Sequence, residues 1–167
     1  MLFVFDLDFT LWDCGGTWCD HTQPPYCKKE EIVVDARNRI IEIYPDIRFI
    51  LELLQHQNVT MAVASRTSQP AWAADLLSLF EIEHFFSYKE IYPGSKIQHF
   101  MKLHKTTGIP YSEMYFFDDE LRNIEEVGSL GVQCVWIEDG LQKSHLLDAL
   151  AKASRPESSN IPVNSFV

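Results

Sequence analysis

Short apolar runs punctuate the chain at residues 2–5, 59–64, 114–117 and 132–137, and the segments between them carry helical periodicity. The run Leu2, Phe3, Val4 and Phe5 has no polar member. Such a run suits a strand covered on both faces, as in a parallel sheet. Residues 46–57 place Ile47, Ile50, Leu51 and Leu54 at three- and four-residue spacing, which predicts a helix capped by Asp46 and ended at Asn58. Further helices are predicted over about 70–79, 96–107 before Gly108, 120–130 before Gly131, and 141–153, with a short strand at 84–87. Strands separated by helices of this length imply right-handed crossovers. The predicted fold class is therefore α/β: a Rossmann-like, mostly parallel central sheet flanked by helices.

One interval breaks the alternation. Residues 13–44 hold Gly15, Gly16, Pro24 and Pro25 and then two branched stretches, 32–34 and 40–43, separated by a turn at 35–38. This reads as a β-hairpin flap inserted after the first strand. An insertion longer than ordinary connections favours a functional lid, and this one is too short for a full cap domain. A length of 167 residues predicts one domain, over 1–153, and the Ser- and Asn-rich stretch 154–167 reads as a poorly ordered tail.

Charge and composition narrow the classes of partner. A formal charge of −10 leaves no basic stripe for nucleic acid or anionic lipid. No apolar stretch approaches the roughly 18 residues of a membrane helix, and the opening segment lacks the features of a secretory leader, so a cytoplasmic protein is expected. Cys14, Cys19 and Cys27 lie near Asp13, Asp20 and His21, but no pair of knuckle-like spacings predicts a structural zinc. Cys134 reads as a small core residue, and the pattern alone assigns no role to His21 or the flap cysteines.

The candidate chemistry gathers where the apolar runs end. Asp6 and Asp8 directly follow the first run, and ligands of parallel sheets collect beyond the carboxyl ends of the strands. One carboxylate can attack phosphorus while a second, two residues on, protonates the leaving oxygen and later activates water. Alone, the pair would only start a turn. Asp118 and Asp119 follow another run at the same predicted edge; alone they would serve equally as helix caps. Hard oxygen ligands at a site shared with phosphate favour Mg²⁺. Ser65 closes a third run beside Arg66, a position where a serine by itself is more often a cap. Lys96 opens a helix after Tyr92, Pro93, Gly94 and Ser95, against the helix dipole. A lysine reaching the carboxylates would offset their charge and that of the transferring phosphoryl group.

In order, FDLDFTLW, ASRTS, IYPGSK and FFDDE resemble the four motifs of the haloacid dehalogenase superfamily of aspartate-nucleophile phosphatases, over most of residues 1–150. EIYPGSK and FFDDE, with little cap insertion, are similar to the eukaryotic magnesium-dependent phosphatase family. The resemblance implies Asp6 as nucleophile and Mg²⁺ ligand. It implies Asp8 as acid/base and as a ligand through its backbone carbonyl, with Asp119 as direct third ligand. Asp118 would act through water or orient its neighbour. The Leu7 amide, Ser65, Arg66 and Lys96 would grip the phosphoryl group, Asn123 would support them, and Thr10 would buttress the loop. Implied substrates are a phosphorylated protein, phosphotyrosine among them, or a small phosphate ester such as a fructosamine or sugar phosphate. The alternative is a catalytically silent phosphate-sensing or protein-binding module on the same fold.

Overall fold

The computed structural model describes residues 1–30 and 32–153. Five parallel strands form the central sheet in the order β7-β6-β1-β8-β9: β1 Leu2–Phe5, β6 Thr60–Ser65, β7 Tyr88–Ile91, β8 Met114–Asp118 and β9 Gln133–Trp136. The helices are α1 Ile47–His56, α2 Pro70–Leu79, α3 Lys96–Thr107, α4 Leu121–Gly128 and α5 Lys143–Ala153. The apolar run of β1 is covered on both sides, as expected. Phe3 and Phe5 join one core with residues of α1, α2 and α5, while Leu2 and Val4 join a second with residues of α3 and α4. Ile47, Ile50, Leu51 and Leu54 are fully buried along α1, each contributing roughly 1.5–3 kcal/mol of hydrophobic stabilisation.

The interval after β1 is richer than a single hairpin. Four short strands, β2 Trp12–Asp13, β3 Cys27–Lys29, β4 Ile32–Val34 and β5 Ile40–Ile43, form an antiparallel sheet in the order β2-β5-β4-β3. The β4–β5 turn falls where the sequence places it. Asp35 Oδ1 accepts from the Arg37 and Arg39 N–H groups at 2.8 and 2.9 Å, and Oδ2 accepts from the Gln23 N–H at 3.0 Å. Burial would raise the Asp35 pKa, but these donors outweigh it and hold the carboxyl below its ordinary value. Trp12, Val33 and Ile41 of this flap are fully buried in the same core as Phe3 and Phe5.

Two local expectations fail. Residues 84–87 do not form a strand; Glu83–Phe85 form a 3₁₀ turn, and the edge strand comes later, at Tyr88–Ile91. Asp46 precedes α1 but does not cap it. Its carboxylate instead accepts from the Lys143 backbone N–H at 3.0 Å and pairs with Lys143 Nζ at 3.3 Å, so a tertiary contact displaces the local one. The stretch 154–167 lies outside the described residues.

Gly140 joins β9 to α5 with φ +68°, and a Cβ there would lie 2.3 Å from Tyr44 Cδ1. Beside it, the Leu141 N–H donates to the Thr10 carbonyl at 3.0 Å. Gly140→Ala is expected to cost roughly 2–4 kcal/mol through overlap and left-handed strain. Urea denaturation reads the loss, and an unchanged midpoint would contradict it.

Candidate active site

The carboxyl ends of β1, β6 and β8 meet at one edge, and they deliver the side chains singled out in the sequence. Asp6 and Asp8 follow β1, Ser65 ends β6, and Asp118 ends β8 with Asp119 next to it. Lys96 enters from the first turn of α3, whose N-cap Ser95 accepts from the Ile97 N–H. Although it opens a helix, Lys96 is 1% exposed. Its Nζ lies 2.5 Å from Asp6 Oδ1 and 3.1 Å from Asp118 Oδ2, and it also donates to the Ala64 carbonyl. The lysine therefore ties three strand ends to one another.

One ammonium faces three acids. Carboxylate oxygens of Asp6, Asp118 and Asp119 all lie within 4.8 Å of one another. Burial raises the Asp6 pKa well above the ordinary value; Lys96 opposes this and Asp118 reinforces it. Burial and then Asp118 push the Asp119 carboxyl up to about 7. Burial would lower the Lys96 pKa, but Asp6 and Asp118 overcome it and keep the ammonium charged. The uncompensated negative charge, the hard oxygen donors and their convergence together fit a small divalent cation.

Asp118 is heavily engaged. Its Oδ1 accepts from the Glu120 N–H at 2.8 Å, and Asn123 Nδ2 donates to Oδ1 and Oδ2 at 3.0 and 3.1 Å. The other end of the Asn123 amide accepts from Arg66 Nη1 at 3.1 Å. Asn123 thus links the acidic cluster to the guanidinium.

Asp8 stands in a different environment from Asp6. Its Oδ1 takes Trp12 Nε1 at 2.8 Å, the Cys19 N–H at 2.9 Å and Cys14 Sγ at 3.5 Å. Oδ2 is left without such a donor among the described residues. Burial raises the Asp8 pKa, with the Trp12 and cysteine hydrogen bonds pulling the other way. The Asp8 side chain is not part of the three-carboxylate cluster.

A cavity of about 370 Å³ opens over Asp6, Asp8, Ser65, Arg66, Lys96 and Asn123. The N–H groups of Leu7 and Arg66 meet no protein acceptor among the described residues. Thr10 is fully buried and its hydroxyl has no partner among the described residues, while its backbone carbonyl accepts from the Leu141 N–H.

The cavity wall also contains residues to which the sequence pattern gives no role in the site. Trp18, Asp20 and His21 reach it from the flap, Thr67 from the end of β6, and Glu120 and Arg122 from the start of α4. Trp18 stands edge-on to His21 at 5.5 Å and to Phe9 at 5.9 Å. Ser68 Oγ donates to Asp20 Oδ2 at 3.0 Å, fastening the flap to the loop after β6. Glu120 Oε2 accepts from Arg122 Nε at 2.7 Å and lies 3.7 Å from Arg66 Nη1. The four cysteines are free thiols; Cys14 and Cys19 are buried behind Asp8, whereas Cys27 is exposed on β3.

His99 is a further missed residue. It is fully buried on α3, stacks on Tyr92 at 4.1 Å, and sets Nε2 3.0 Å from both the Ser65 and Tyr92 carbonyls. It braces the end of β6 against the loop that carries Lys96. The recurrence of buried positions at 96, 99, 100 and 103 was the available signal.

The acid phosphatase family model matches residues 1–155. The chain belongs to the acid phosphatase family. A relative of the chain is human Magnesium-dependent phosphatase 1, 46% identical over 171 residues that cover 99% of this chain and 96% of the human protein. Another is a HAD-like hydrolase superfamily protein of Schizosaccharomyces pombe, 42% identical over 142 residues, 77% of this chain and 80% of that one. Among solved structures, a HAD family enzyme of Bacteroides thetaiotaomicron, in complex with magnesium and inorganic phosphate, shares the fold. Its TM-score is 0.62 at 14% identity, over 87% of this chain and 98% of that one. No helix among the described residues is long and apolar enough to cross a membrane.

Proposed function

We propose that the protein is a Mg²⁺-dependent phosphomonoester phosphatase that works through an aspartyl-phosphate, within one domain over residues 1–153. The observation that carries this reading is the divergence of Asp6 and Asp8. Two carboxyls only two positions apart occupy opposite surroundings, one against an ammonium and two acids, the other among neutral donors crowded on a single oxygen. Asp6 has an ammonium partner and would gain the Mg²⁺, both of which favour its anion, whereas Asp8 is buried with neither, and such unlike surroundings suit divided nucleophile and acid roles.

The ionised Asp6 attacks phosphorus and the ester bond to the leaving oxygen breaks, while Asp8 delivers a proton to that oxygen. Asp8, now a carboxylate, takes a proton from water as the water attacks phosphorus, which releases inorganic phosphate and regenerates Asp6. Lys96 holds the nucleophile and balances charge as it develops. Ser65, Arg66 and the Leu7 N–H bind phosphoryl oxygens, and Asn123 keeps Arg66 and Asp118 in place. Asp6, Asp119 and the Asp8 backbone carbonyl would hold the Mg²⁺, with Asp118 acting through water. The ion, when bound, neutralises the acidic cluster and polarises the phosphoryl oxygens. The names of the human relative and of the magnesium- and phosphate-bound enzyme support this choice of metal.

An open cavity with no large cap among the described residues favours a phosphate carried on a protein, phosphotyrosine included, or a sugar or fructosamine phosphate. Four reduced thiols suit a cytoplasmic location. Hydrolysis of an aryl phosphate that requires added Mg²⁺ is the direct test, and no turnover of any such ester with the metal present would favour a silent binding module.

The acid role fixes the sign of the pH dependence. Asp8 works protonated, and burial extends its protonated range upward, so kcat/KM falls on the alkaline side as that proton is lost. Asp8→Asn should lower kcat by about 10²–10⁴-fold and remove the alkaline limb from what remains. A wild-type profile still rising well above neutrality would argue against the assignment.

A further inference from the structure

Trp136 is an unusual residue for its position. It ends the edge strand β9, is 44% exposed and adds little to either core, yet its indole Nε1 donates to the Asp119 carbonyl at 2.8 Å. Across the strands its register partner is Asp118, whose carbonyl accepts from the Ile137 N–H at 2.9 Å. The peptide joining Asp119 to Glu120 is therefore held at both ends. Trp136 fixes its C=O, and Asp118 Oδ1 fixes its N–H at 2.8 Å.

That peptide decides where the Asp119 side chain points. Rotation about the bonds flanking it would turn the Cα of Asp119 and carry the carboxylate away from Asp6 and Asp118. Within the described residues nothing else donates to the Asp119 carbonyl. The indole makes one hydrogen bond from a side chain outside both cores, so its loss is expected to cost little stability.

We infer that Trp136 is a positioning residue for the metal site, presetting the Asp119 carboxylate from the solvent side of the sheet edge. This rests on the reading of Asp119 as a Mg²⁺ ligand. Residues that orient ligands commonly change metal affinity by about 10–100-fold when they are replaced.

The test uses the full chain stripped of metal and titrated with Mg²⁺ alone by calorimetry. Trp136→Phe keeps an aromatic ring on β9 and deletes only the donor. Its Mg²⁺ Kd should rise about tenfold, and the Mg²⁺ concentration giving half-maximal turnover should rise with it. The melting midpoint in chelator should stay near that of the wild type. A variant that binds Mg²⁺ as tightly as the wild type overturns the inference, and so does one whose midpoint in chelator collapses, since the indole would then be a packing group. Wild-type protein that takes up no Mg²⁺ would instead remove the metal reading itself, and the inference with it.

Discussion

Asp6→Asn protein should fold and fail to turn over an aryl phosphate, with a loss of at least about 10⁴-fold. The amide keeps the shape of the carboxyl group but has no electron pair suited to attack on phosphorus. It also removes one of three acids crowded around a single ammonium, so no loss of stability is expected from charge. The measurement is product release under saturating Mg²⁺, paired with acid-quench trapping of phosphoprotein. Wild-type protein should yield an acyl-phosphate label and the variant none. Undiminished turnover in the variant would end the nucleophile assignment.

Lys96→Met should damage both stability and rate. The methionine has similar length, so the space is filled, but Asp6 and Asp118 then face each other in a buried site with no counter-charge. Stranding one side of a buried ion pair costs about 3–5 kcal/mol, and loss of a preorganised charge at the transferring group costs about 10²–10³-fold in rate. The sign of the pH dependence follows. A lysine whose pKa is raised on folding stabilises the native state until pH climbs through that raised value, so the wild type retains this contribution at neutral pH. In the variant, protons taken up by the stranded acids relieve the repulsion. Its deficit in urea midpoint should therefore be smaller at pH 5 than at pH 8, and Mg²⁺ should narrow it at the higher pH. A variant as stable as the wild type at pH 8 would show that the ammonium is not what reconciles the acids.

The parts legible in the sequence share a physical cause. Asp6, Ser65 and Asp118 terminate strands whose apolar runs are visible, and a parallel sheet brings such ends to one edge. Lys96 stood out because a cation opening a helix needs a reason, and the reason is two carboxylates on neighbouring strands. The flap turn at Asp35 was legible because its side chain satisfies backbone donors close by in the chain. What escaped depends on contacts between distant residues. Tyr88–Ile91 is an edge strand with one neighbour and two polar members, Lys89 exposed and Glu90 buried, so it lacks the apolar signature of β1. Trp18, Asp20 and His21 reach the cavity only because the flap folds back onto the loop after β6, where Ser68 holds Asp20. Glu120 and Arg122 sit on the first turn of α4, and no periodicity tells which of its sides faces Arg66.

Trp12, Val33 and Ile41 root the flap in the same interior as the first strand, and this has a kinetic corollary. A segment so anchored cannot swing aside in every cycle without drawing buried aromatic and branched side chains into water. Ester entry and phosphate exit therefore proceed through a doorway of fixed frame, with only exposed side chains such as Trp18 and Arg122 adjusting at its sill. With no flap opening to wait for, bond making or bond breaking is the expected clock of the cycle, and its turnover number should respond little to solvent viscosity.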